Sequence, residues 1–259
     1  MAGNGMAGAG GIDRRKVLAG AAGVLAAAAS AGPARAATGL KALAFDGFAL
    51  FDLRPVFARA ERVFPGHGEA LAVAWRTRIF DYTWLRTAAG RYAEFPACID
   101  GALRFAAASL GLVLDEQSRL DLLAGFAEVK AFADVAPALT ALKAAGLRLV
   151  VLANPTEAML ARAVANSGLD GVFEALLSTD KAKTYKPDPR AYALGTAALD
   201  LAPAQIGFVA SAGWDATGAA WYGYRSFWVN RGNAPAEGLD AGAETVVADL
   251  VALAGRLTA

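Results

Sequence analysis

ALAFDGFALFDLRPV, residues Ala42 to Val56, runs from an unbroken apolar stretch into an acid, Asp46, and meets a second acid at Asp52. A short apolar run bounded by turn residues is the pattern of a strand buried on both faces. The spacing predicts that strand over LKALAF, with Asp46 closing it. From Pro55 to about Phe132 the pattern turns helical: RPVFARAERVF, then GEALAVAWRTRIFDYTWLRTAAGRY, CIDGALRFAAASLGL and DEQSRLDLLAGFAEV, the last with Asp115 as its N-cap. No strand is predicted inside that segment. Alternation follows. APALTALKAAG reads as a helix closed by Gly146, LRLVVLAN as a strand, TEAMLARAVANSGL as a helix capped by Thr156, and FEALLSTD as a strand. PDPRAYALGTAALDL reads as a helix, IGFVAS as a strand, DATGAAWYGY as a helix capped by Asp215, RSFWVN as a strand and TVVADLVALAGRL as a closing helix. Repeated strand–helix units imply an α/β fold, a Rossmann-like parallel sheet with the helical segment inserted after the first strand. The expected division is a core of residues 38–55 and 133–259 and an α-helical cap of 56–132.

In such sheets ligands bind beyond the carboxyl ends of the strands. The residues expected there are Asp46, Asn154, Lys186 and Asp215, two carboxylates, an amide and a lysine gathered by topology. Composition narrows the chemistry further. The chain has 259 residues, a single Cys (Cys98) and a single His (His67), which excludes an internal disulfide, a Cys-rich metal site and a His cluster. A formal net charge of +1 provides no basic field for nucleic acid. No dinucleotide fingerprint or P-loop is present, so no organic cofactor is expected. Cys98 reads as a small buried hydrophobe, and His67 is assigned no role.

Residues 1–37 are a separate object. Arg14, Arg15 and Lys16 precede an Ala/Gly/Val/Leu stretch, and Ala34-Arg35-Ala36 follows it. That order matches a charged region, an apolar region and a small-x-small cleavage site. The paired arginines resemble a twin-arginine export signal. The apolar run is short for a membrane span, which needs about 20 residues. The expectation is export to the periplasm, with the export machinery as a partner and cleavage after Ala36 or Ala37.

The pieces WRTRIFDYTWLR, LLSTDKAKTYKPDPRAY, GWDATGA and FWVNR together resemble the haloacid dehalogenase superfamily, specifically the type II L-2-haloacid dehalogenases, from about Leu40 to Arg231. The resemblance implies that Asp46 displaces halide from a 2-haloacid and carries an ester that water then cleaves. It implies that Lys186 supplies the cation beside Asp46 and that Asp215 holds Lys186 or activates water. Arg76, on the cap, would take the halide or the substrate carboxylate, and Asn154 would donate an N–H to the halide. Gly47, Phe48, Phe80, Phe95, Ala153, Tyr192 and Trp214 complete the expected substrate- and halide-binding set. The resemblance also implies a homodimer and no metal. In phosphatases of the superfamily a second acid stands two residues after the nucleophile and helps bind Mg²⁺; here that position is Phe48, which offers no oxygen.

The chain departs from the type II pattern around Asp46. DGFALFD is one residue shorter than the usual first motif and has no Thr or Ser. Ala153 replaces a serine before Asn154, and ASAGWD keeps only Ser211 where hydroxyls and an amide are usual. Two alternatives therefore stand beside a dehalogenase: another hydrolase of the superfamily, or an exported homologue, impaired in catalysis, that binds a small carboxylate or anion.

Overall fold

The computed structural model describes residues 39–259. The leader expected over residues 1–37 lies outside the described residues.

The core is a six-stranded parallel sheet. Its strands are β1 (Ala42–Phe45), β4 (Arg148–Ala153), β5 (Ala175–Ser178), β6 (Ile206–Ala210), β7 (Arg225–Val229) and β8 (Thr245–Val247), in the spatial order β5-β4-β1-β6-β7-β8. β1 is central and pairs on both sides, Phe45 facing Val151 and Val209. All four of its residues are buried, which explains why its sequence is continuously apolar rather than alternating. Period-two geometry still sorts them. Leu43 and Phe45 join one hydrophobic layer with Leu149, Val151, Val209 and Phe227. Ala42 and Ala44 join the other with Val150, Leu152, Ile206 and Phe208. Helices α6 (Val135–Ala144), α7 (Glu157–Asn166) and α10 (Leu250–Thr258) contribute to the first layer. Helices α8 (Pro189–Leu199) and α9 (Gly213–Tyr222) contribute to the second. The strand order reverses between β1 and β6, and a crevice forms beyond the carboxyl ends of strands at such a switch point.

Between β1 and β4 the chain leaves the core. A four-residue helix α1 (Gly47–Leu50) and the short strand β2 (Phe51–Asp52) lead into α2 (Arg54–Val63), α3 (Gly68–Ala88), α4 (Phe95–Ser109) and α5 (Glu116–Ala124). These helices form the cap around their own hydrophobic cluster, with Leu71, Trp75, Phe95, Cys98, Ile99 and Leu103 fully or almost fully buried. Trp75 buries its indole and still donates to Ile99 O at 2.9 Å, so no polar atom is lost with the ring. The caps form at the expected residues: Asp115 accepts from Ser118 N and Thr156 from Met159 N.

Three expectations need correction. The segment 55–132 does contain a strand: Lys130–Ala131 (β3) pairs antiparallel with β2 and closes the base of the cap. Two residues carry too little periodicity to be seen in sequence. TVVADLVALAGRL is not one helix, because Thr245–Val247 adds to the sheet edge beside β7 and the helix starts at Leu250, capped by Asp249. The β-branched Thr-Val-Val run suits a half-buried edge better than a helix. Asp215 is not the N-cap of its helix. Ala212 is, and Asp215 lies in the first turn with its carboxylate turned to Lys186.

Candidate active site

Asp46 leaves β1 at the centre of the sheet. Its backbone N–H still donates to Val209 O at 2.9 Å, which continues the ladder by one residue and holds the Cα. Its side chain is 7% exposed. Oδ1 accepts from Lys186 Nζ at 2.7 Å. Oδ2 accepts from Phe48 N at 3.1 Å and from Ser211 Oγ at 2.7 Å. Asp46 thus caps the short turn after β1 and also faces the only fully buried lysine among the described residues.

Lys186 reaches this point from the loop between β5 and α8. Its Nζ also donates to Asp215 Oδ2 at 2.6 Å, and its third side looks onto the Phe208 ring, 4.9 Å from the centroid. Burial opposes the ammonium. Asp215 and Asp46 outweigh it, so the Lys186 pKa is raised and the group stays charged. Asp215 is squeezed the other way. Burial, and after it the Lys186 and Asp46 charges acting in opposite senses, leave its carboxyl pushed up to about 6. Its second oxygen, Oδ1, accepts from Tyr192 Oη at 2.7 Å. Gly218 makes that contact possible: a Cβ there would stand 2.5 Å from the Tyr192 hydroxyl and 2.8 Å from Pro187 Cβ.

Asn154, at the exit of β4, is buried and uses Oδ1 twice, accepting from Lys186 N at 3.2 Å and from Thr179 Oγ1 at 3.3 Å. It anchors the lysine loop through its carbonyl. Its Nδ2 makes no hydrogen bond among the described residues. Tyr185, next to Lys186, donates its N–H to Thr87 Oγ1 at 3.2 Å and packs into the cap cluster. The same loop therefore carries the buried cation and a strut to the cap.

A cleft of about 1450 Å³ lies between cap and core. Phe48, Arg76, Phe80, Phe95, Ser211 and Trp214 all line it. Phe80 packs edge-on against Phe48 and against Trp214, with centroids 6.1 and 5.6 Å apart. These rings make a continuous apolar wall across the cap–core boundary. Arg76 is exposed on α3 and has no hydrogen bond or ion pair among the described residues; the nearby Asp81 pairs with Arg78 at 3.4 Å instead. A guanidinium with no partner among the described residues has donors that can pair with an anion.

Tyr192 and Ala153 stand elsewhere. Both are fully buried. Tyr192 lies behind Asp215 and touches that carboxylate rather than the cleft, and Ala153 packs near Gly47 under the turn. Gly47 is buried as well. Three contributors escaped the sequence-based selection: Thr179, Phe208 and, above all, Ser211. The signal for Ser211 was its place. It follows β6 as Asp46 follows β1, on either side of the switch point. Among the described residues no group of three or more His, Cys, Asp or Glu side chains could hold a metal ion.

A haloacid dehalogenase-like hydrolase model matches residues 21–223. The chain is 39% identical over 193 residues to an (S)-2-haloacid dehalogenase of Pseudomonas sp. strain YL, covering 74% of this chain and 83% of that protein. In structure it superposes on the L-2-haloacid dehalogenase RSc1362 with a TM-score of 0.83 and 41% identity, over 85% of this chain and 99% of the other. It also superposes on the L-2-haloacid dehalogenase of Xanthobacter autotrophicus with chloropropionic acid covalently bound. There the TM-score is 0.77 and the identity 32%, over 83% and 97% of the two chains. On fold, cap and sequence alike, the chain belongs to the haloacid dehalogenase-like hydrolases.

Proposed function

We propose that this protein is a hydrolytic dehalogenase of short 2-haloalkanoic acids, releasing halide and a 2-hydroxy acid by way of an ester on Asp46. The observation that carries this reading is the buried Asp46–Lys186–Asp215 cluster, joined through Phe48 and Ser211 to a cleft that they line, whose cap side offers Arg76, without an ion pair among the described residues. An aspartate nucleophile divides one hard substitution into two easier steps. Lys186 holds and aims the Asp46 carboxylate, Arg76 takes the substrate carboxylate or the departing halide, and the aromatic wall excludes bulk water. Asp215 fixes Lys186, and in its ionised form it serves as the base for the hydrolytic water. The Xanthobacter relative with chloropropionic acid covalently bound supports a covalent route. Phe48 supplies no oxygen, so no metal enters this reading.

The test is chloride release from (S)-2-chloropropionate with EDTA present. The native chain releases chloride and Asp46→Asn does not, with an unchanged circular dichroism spectrum. Normal turnover by Asp46→Asn would remove the nucleophile, and activity that appears only with added Mg²⁺ would favour another hydrolase of the superfamily. The reading extends to export through residues 1–37, on the strength of Arg14, Arg15 and the Ala34-Arg35-Ala36 site, and to pairing of two copies. Export predicts a periplasmic protein that starts at Ala37 or Thr38. A full-length cytoplasmic product contradicts it.

A further inference from the structure

Lys186 Nζ carries three N–H donors. Two of them go to buried carboxylates, to Asp46 Oδ1 at 2.7 Å and to Asp215 Oδ2 at 2.6 Å. Among the described residues no third oxygen accepts from it. The remaining neighbour is the Phe208 ring, with its centroid 4.9 Å from Nζ. The negative face of an aromatic ring attracts a cation, most strongly where water is excluded, and Lys186 and Phe208 are both buried. Tyr192 meets the ring edge-on at 5.4 Å and Tyr224 lies nearly parallel to it at 6.0 Å, which fixes its plane. The two tyrosine hydroxyls donate elsewhere, to Asp215 Oδ1 at 2.7 Å and to Tyr192 O at 2.5 Å, and burial pushes both up, so they stay neutral.

From this we propose that Phe208 is a positioning residue whose ring holds the Lys186 ammonium in place while Asp46 is a neutral ester. The proposal rests on the dehalogenase reading. In the first half of the reaction an Asp46 oxygen forms the bond to carbon, and the halide leaves with the electrons of the carbon–halogen bond. Asp46 loses its charge, so Lys186 passes from two anionic carboxylates to one. In the second half water oxygen adds to Cγ while Asp215 takes one of its protons, and the charge moves from Asp215 to the oxygen on Cγ. The bond between Cγ and the product oxygen then breaks. That oxygen takes the proton from Asp215, the other water proton leaves the new Asp46 carboxyl, and both carboxylates are restored. Of the three partners of Lys186, only Phe208 keeps its character throughout.

The ring therefore counts unequally in the two halves. A buried ammonium is costly without partners. With Asp46 and Asp215 both ionised it is held in excess, and a weaker ring changes its placement little. In the ester Asp215 alone remains, and its charge moves away during water attack, so the share carried by the ring grows. A contact that is stronger at one stage speeds that stage. Phe208 lies on β6, the strand that also accepts the Asp46 N–H through Val209 O at 2.9 Å. One strand thus fixes both the ring and the backbone of the residue that carries the ester.

The experiment is a single turnover with enzyme in excess over (S)-2-chloropropionate, quenched at intervals and read for chloride, for 2-hydroxypropionate and, by intact-protein mass, for the ester. It compares the native chain, Phe208→Leu and proteins carrying one, two or three fluorines on the Phe208 ring. Fluorine withdraws charge from the ring face and barely changes the ring's size, so packing alone gives no graded response. Chloride release should stay near the native rate in every fluorinated protein. Ester decay, and with it release of 2-hydroxypropionate, should slow in step with fluorine number, on the order of 10-fold with three. Phe208→Leu should be slowed at least as much. Native release of 2-hydroxypropionate across the fluorinated proteins, slowing without order in fluorine number, or chloride release that falls alongside it overturns the proposal and leaves the dehalogenase reading standing. No chloride from the native chain overturns both.

Discussion

Asp46, Lys186 and Asp215 are buried together, and the pH response follows from Asp215. Asp215 is pushed up to about 6 chiefly by burial, against the pull of Lys186. A carboxyl whose folded pKa lies above its unfolded value holds its proton more tightly when folded. Its contribution to stability therefore declines as pH rises from the unfolded value of 3.8 to about 6. Under the proposed mechanism activity moves the opposite way, because Asp215 must be ionised to act as the base. The kcat–pH profile should fall on the acid side with an apparent pKa near 6. Tyr192→Phe removes a donor that favours the carboxylate form, so its acid limb should shift to higher pH. An unmoved limb would mean that Asp215 is not the titrating group. At this scale Asp46, Lys186 and Asp215 were legible in sequence because strand exits converge. The direction of Tyr192 was not legible, because a helix position does not tell which face of a buried carboxylate it meets.

Helices and strands came through where periodicity was long. Every helix of three turns or more was visible, and so were the caps at Asp115 and Thr156, because their side chains have a local partner. The failures were short or competitive elements. β3 has two residues, β8 has three, and the N-cap of α9 falls on Ala212 while Asp215 takes a charge-assisted bond from Lys186. One element contact sets the site's tolerance. Helix α9 approaches Tyr192 and Pro187 at Gly218 closely enough that no Cβ fits. Gly218→Ala should lose about 1–3 kcal/mol of stability through overpacking and lower kcat by displacing the Tyr192–Asp215 contact. Denaturant unfolding and steady-state kinetics check both. Full stability in the variant would show that α9 shifts freely.

At the scale of the molecule, activity depends on two clusters meeting across a cleft. In the proposed reaction the core supplies Asp46 and Lys186, and the cap supplies Arg76 and much of the aromatic wall. The insertion of helices after β1 was plain in the sequence. Helix spacing favours pairing Asp81 with Arg78, three residues away, over Arg76, five away, and the structure forms that pair. Arg76→Ala should lower kcat/KM by roughly 10- to 150-fold, the value of one charged hydrogen bond. It should leave Tm nearly unchanged, since among the described residues the exposed Arg76 makes no hydrogen bond or ion pair to lose. A large fall in Tm would place Arg76 in the structure of the cap instead.

In the proposed reaction Asp46 itself becomes the ester. A single turnover in oxygen-18 water, with enzyme in excess over (S)-2-chloropropionate, tests it most directly. The predicted result is label in the peptide containing Asp46 and none in the hydroxyl of the product, since the product takes its oxygen from the side chain. Label in the product hydroxyl on that first turnover, with an unlabelled Asp46 peptide, would mean that water attacks the substrate directly and would contradict the account.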